Sequence, residues 1–130
     1  MNLSKLLLAH AALMFAAGVV LILAPSAIPG AVGIHVEPSA YLVCYLLGSS
    51  ELGLAFLSFF SRRLTDASTM RLVCWTFIVV HASTALVEVY AVARGEVAAA
   101  VWANVALRVL VVVLFVHYGI RNPGTRGAAS

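Results

Sequence analysis

Residues 97–119, VAAAVWANVALRVLVVVLFVHYG, are long enough and apolar enough to cross a bilayer, yet Arg108 sits at their centre. An arginine at mid-membrane costs about 2.5–3.5 kcal/mol on insertion. The twelve Val, Leu and Phe residues of the run each contribute about 0.3–0.6 kcal/mol in the other direction, or about 4–7 kcal/mol together. The run therefore inserts, but Arg108 needs a partner inside the protein. Composition agrees that lipid is the solvent. The chain is 63% hydrophobic and 10% charged, with a mean hydropathy of +1.05. Soluble domains have about 45–50% apolar and about 25% charged residues, and a chain of 130 residues cannot hide so much apolar surface in a water-soluble core.

Three further runs have the same character. The first spans Leu3 to Ala24, with Lys5 just inside its start and Pro25 as its stop. Lys5, the apolar run and the following A-P-S-A also resemble a signal peptide. The apolar run from Leu6 to Ala24 exceeds the usual core of about 7–15 residues, which favours a spanning helix. The second runs from Ala40 to Ser61 and ends in Arg62 and Arg63; the third runs from Met70 to Ala93. Each of the four matches the roughly 20 residues a spanning helix requires. We expect an all-α, single-domain integral membrane protein, a four-helix up-down bundle with spans at about 3–24, 40–61, 70–93 and 97–119 and a frayed tail over 120–130. The longest connection, PSAIPGAVGIHVEPS, holds three prolines and two glycines, which break helix. It is apolar enough to lie at the membrane interface, and its Ser39 is an expected N-cap for the second span. Asp66 or Ser68 is expected to cap the third.

Orientation follows from the basic residues. With four spans, Lys5, Arg62, Arg63, Arg71, Arg121 and Arg126 fall on one side and only Arg94 on the other. This bias places both termini in the cytoplasm and the protein in the plasma (inner) membrane as a multi-pass protein. The same distribution accounts for the net charge of +3 and the pI near 9.2 without nucleic acid as a partner. Cys44 and Cys74 belong to opposite leaflets, about 20 Å apart by helical rise. Disulfide Cα atoms approach within about 7 Å, so no intrachain bridge is expected.

Glu51, His81 and Arg108 each lie within one residue of the middle of their segments. Three helices thus bring an acid, an imidazole and a guanidinium to one depth. Glu88 lies about 10 Å and Asn104 about 6 Å further toward the outer side by helical rise. His81, Thr84 and Glu88 share one helix face, and Asn104 and Arg108 another. Cys44, Gly48, Glu51, Ala55 and Ser58 make a small and polar stripe on the second span. The first span offers a packing face through His10, Leu13, Ala17 and Leu21. The expectation is a Glu51–Arg108 ion pair with His81 beside it and Glu88 above, since an unpaired charge in hydrocarbon is much costlier than a paired one.

That cluster has two meanings. It either fixes helix register or lines a cavity or proton path, as intramembrane ionisable residues commonly do. Glu88 has an alternative partner in Arg94. His10 and His117 are expected at the cytoplasmic interface, and Trp75, Trp102, Tyr90 and Tyr118 in the aromatic belts. Arg108 in the same layer disfavours a metal ion, and the depths of the histidines disfavour haem, so no metal or cofactor is expected. The chain has no H-E-x-x-H, Walker, G-x-S-x-G or C-x-x-C motif, and no catalytic residue is assigned.

YLVCYLLGSSELGLAFLSFFSRR, a helix with a glycine near its middle and basic residues at its end, follows the loop APSAIPGAVGI. Together they resemble small bacterial four-helix membrane proteins of unknown function and, more loosely, DoxX-like proteins. The resemblance implies a bacterial integral membrane protein and brings no catalytic residues with it.

Three functions fit these residues. One is the binding or movement of a small polar or anionic molecule, a lipid-like molecule or protons at the midplane cluster. The second is an accessory or assembly subunit whose buried ion pair is structural. The third is a membrane enzyme acting on a lipid-like substrate. The expected partners are the bilayer, a small-molecule or lipid ligand and a second copy in a homo-oligomer.

Overall fold

The computed structural model describes residues 2–121, whose regular elements are all helices with no strand among them. Helix α1 covers Leu3–Leu23, a short α2 covers Ala27–Ala31, α3 covers Tyr41–Ser61, α4 covers Ala67–Ala93 and α5 covers Val101–Phe115. The last helix continues through Arg121 as widened π-type turns. Four of these rods, counting α5 with its continuation, are long and apolar enough to cross a membrane. Their outer faces are apolar as well: Leu42, Val43, Leu72, Leu86 and Tyr90 are all more than 60% exposed. That is a surface for lipid, not water. The tail expected to fray beyond Arg121 lies outside the described residues.

Several boundaries move for local reasons. Asp66 is the cap of α4: one carboxylate oxygen accepts from Thr69 N–H at 2.7 Å and from the hydroxyls of Ser68 and Thr69. The helix therefore starts at Ala67, three residues before the apolar run. Ser39 does not cap α3. Instead a 3₁₀ turn over Pro38–Ala40 leads into it, and Ala40 precedes its first residue with no side-chain cap. Residues 97–100 do not join the fourth span, because Ala98 N–H donates to Val32 C=O at 2.9 Å. That bond ties the α4–α5 turn to the loop after α1.

The spans pack mainly as two pairs, α1 with α3 and α4 with α5. Within each pair, residue numbers rise along one helix as they fall along the other. Gly18 and Gly48 set the first contact: a Cβ on Gly18 would lie 2.8 Å from Gly48 O, and one on Gly48 2.9 Å from Gly18 O. Backbone touches backbone there, as small residues permit. Gly119 plays the same part in the second pair, where a Cβ would lie 2.5 Å from Cys74 Sγ. The buried stripe of α1 runs through Leu3, Leu7, His10, Met14, Gly18 and Leu21. Leu13 of the expected face is exposed instead, and Ala17 is half-buried. Leu6, Leu7, Cys74, Phe77 and Phe115 form the core that joins the two pairs near the start of α1. No disulfide joins the two cysteines: Cys74 lies in that core and Cys44 lies elsewhere, on α3.

Candidate functional site

Toward the loop that follows α1, the two pairs separate. A cavity of about 1140 Å³ lies between α3 on one side and α4 and α5 on the other, with residues 28–40 across one end. Its walls are mostly apolar; Glu51, His81, Thr84, Glu88, Asn104 and Arg108 are set along its helices, and His35, Glu37 and Ser39 lie in the segment across its end. Val43, Leu47 and Val87 line it while remaining 67%, 51% and 65% exposed. The cavity is therefore a cleft that reaches the outer surface between α3 and α4.

All six residues singled out from the sequence face this one cavity, but their pairing differs from expectation. Arg108 pairs with Glu88, not Glu51: Nε lies 3.0 Å from Glu88 Oε1, and the two side chains are only 17% and 15% exposed. Asn104 Nδ2 donates to the same oxygen. Both partners lie on the closely packed α4–α5 pair, whereas Glu51 belongs to α3 across the cleft. Arg94, the alternative partner of Glu88, pairs with Glu96 at 3.3 Å. Thr84 bonds only to Val80 C=O in its own helix, at 2.7 Å.

His10 is the residue that sequence reasoning misplaced. It is 3% exposed, packed between Phe77, tilted at 4.5 Å, and Phe115, edge-on at 5.2 Å, and its Nε2 lies 2.8 Å from His81 Nε2. Its Nδ1 lies 3.0 Å from Ser58 Oγ, and Ser58 in turn donates to Leu7 C=O at 2.9 Å. On the other side of His81, Arg108 Nη1 lies 3.4 Å from Nδ1. His117, by contrast, is exposed near the end of the chain's last helical turns, against Tyr118.

The ends of this chain determine every proton in it. Arginine only donates and a backbone carbonyl only accepts. Arg108 must therefore donate to His81 Nδ1, so the His81 proton is on Nε2 and points to His10 Nε2. The His10 proton is then on Nδ1 and points to Ser58 Oγ, whose hydroxyl points to Leu7. Counting from the carbonyl backwards gives the same assignment. Both imidazoles are neutral, every link has one proton, and the chain ties α5, α4, α1 and α3 together. Its signal in the sequence is a polar residue on each glycine-bearing stripe, His10 with Gly18 and Ser58 with Gly48.

The two carboxylates facing the cleft are not saturated in this way. Glu51 Oε2 and Glu88 Oε2 are both shielded from solvent and accept no hydrogen bond among the described residues. Buried polar atoms are bonded in the large majority of cases, so two orphans in one cavity call for a reason. Among the described residues no three His, Cys, Asp or Glu side chains gather as metal ligands would. The site can thus seat an apolar body along its walls and a polar group at mid-span. The chain matches no known family model, no curated protein and no solved structure.

Proposed function

We propose that this chain is a multi-pass protein of a bacterial plasma (inner) membrane that binds a lipid-like or small polar molecule in the cleft between α3 and the α4–α5 pair. In this reading the helices form an up-down bundle with both termini in the cytoplasm. The basic residues Lys5, Arg62, Arg63, Arg71 and Arg121 face that side, and the resemblance to small bacterial four-helix membrane proteins belongs to the same proposal. The observation that carries it is the cavity of about 1140 Å³ with mostly apolar walls into which Glu51, Glu88 and Arg108 are set. Ligand sites have this composition, and their volumes run to about 1,000 Å³. The open side between α3 and α4 admits a molecule directly from the bilayer.

Native mass spectrometry from a mild neutral detergent tests this. The wild type should carry a co-purifying molecule of lipid-like mass. Thr84→Phe, which fills the cavity and leaves the ion pair in place, should lose it. A wild type that is bare in every neutral detergent would sink the binding reading. It would favour the second one, an accessory subunit whose buried polar groups only hold the helices in register, which the fully bonded His10–His81–Ser58 chain supports. The same spectrum reads out any second copy.

A further inference from the structure

Accepting that the cleft binds an amphiphile, we infer that the head of its ligand is a hydrogen-bond-donating cation, an alkylammonium or alkylguanidinium group, and not an anion. The layer at mid-span contains two carboxylates and one fixed cation. Arg108 is already committed, with Nε on Glu88 and Nη1 on His81. His81 has no positive charge to offer, because its two ring nitrogens are occupied by Arg108 and His10 in the neutral form. Asn104 spends a donor on the same Glu88 oxygen that Arg108 holds. The layer thus has one more carboxylate than it has cations, and its buried atoms without a hydrogen bond among the described residues are both acceptors, Glu88 Oε2 and Glu51 Oε2.

An anionic head entering this layer meets two carboxylates and competes with Glu88 for Arg108, which is unfavourable where charge is poorly solvated. A donor cation displaces nothing. It sets a counter-charge beside Glu51, which makes no ion pair or hydrogen bond of its own among the described residues, and it donates charge-assisted hydrogen bonds to orphaned acceptors. The apolar walls formed by Val43, Leu47, Val80 and Val87 then hold the tail.

The probes are three surfactants with one tail, dodecylamine, dodecanoate and dodecanol, added below their micellar concentrations to the full-length protein in a neutral maltoside detergent at pH 7. The amine is cationic there, since alkyl ammonium groups titrate near 10.4. Binding is read as a saturable rise in thermal midpoint and as a bound mass in native spectra. Dodecylamine should bind saturably, and Glu51→Gln should weaken it roughly tenfold, the scale of one charge-assisted hydrogen bond. Glu51→Gln should also leave the midpoint of the ligand-free protein in place, which shows that the variant folds. Dodecanoate should bind at least about tenfold more weakly than the amine. Tighter binding of dodecanoate or dodecanol than of dodecylamine, or equal amine binding by Glu51→Gln, would overturn the head-group assignment while leaving the cleft as a site. No saturable binding of any of the three would overturn the cleft itself.

Discussion

Two polar regions lie side by side in this bundle and follow opposite rules. In the junction of His10, His81 and Ser58, every donor has an acceptor and every acceptor a donor, and the side chains are at most 3% exposed. In the cleft a few ångströms away, two carboxylate oxygens have nothing. The junction is surrounded by Phe77 and Phe115, while the cleft holds open volume. A closed polar network inside a membrane protein is part of the fold, because any gap in it leaves an expensive orphan. An open one is incomplete without something from outside. The difference separates the structural polar residues from the recognition residues better than their charge does.

The sharpest way to break the contrast is His81→Leu. It keeps the volume but orphans both His10 Nε2 and an Arg108 N–H, and it should lower unfolding free energy by about 3 kcal/mol, since each orphaned buried group costs about 1–3 kcal/mol. Adding His10→Leu removes one orphan, so the double variant should recover part of that loss in detergent unfolding. A double variant worse than the sum of the singles would show that the junction is not a closed unit. Glu51→Gln should shift unfolding by no more than about 0.5 kcal/mol, because its free oxygen has no partner to lose. A loss well above that would mean Glu51 belongs to the fold and the contrast fails. The smallest effect belongs to Asp66, which is saturated in the same manner but in water. Hydrogen bonds from Thr69 and then Ser68 hold its carboxyl down from 3.8 to about 2. A depressed carboxyl stabilises the folded state above its unfolded value and loses that contribution as pH falls through its folded value. Wild-type and Asp66→Ala thermal midpoints should therefore differ slightly above pH 4 and converge toward pH 2.

Four helices long and apolar enough to span were legible from hydropathy alone, and counting depth along them grouped Glu51, His81 and Arg108, which line one cavity. Depth is a one-dimensional quantity, set by counting along a helix. It says nothing about which helices are neighbours around the bundle. That is why Glu51 was matched to Arg108: the two are level, but α3 packs on α1 and leaves Glu51 across a gap. His10 escaped for the complementary reason. Counting from Leu3 put it near an interface, whereas α1 and α4 are offset along their axes, so a residue two turns into α1 meets one near the middle of α4. The cavity itself had no sequence signature. It arises because the two helix pairs close only where Leu7, Phe77 and Phe115 pack, and diverge elsewhere.

The direction of the His10–His81 chain has an electrical consequence. A row of hydrogen bonds that all point one way is the arrangement along which a proton hops from neighbour to neighbour. Such a relay works only if its first group can release a proton and its last can keep one. Here the first is a guanidinium, which does not give up a proton in proteins, and the last is the carbonyl of Leu7, which only accepts a hydrogen bond. The row is terminated at both ends. Four helices are thus tied together by groups that conduct protons readily in other settings, arranged here with a guanidinium at one end and a backbone carbonyl at the other.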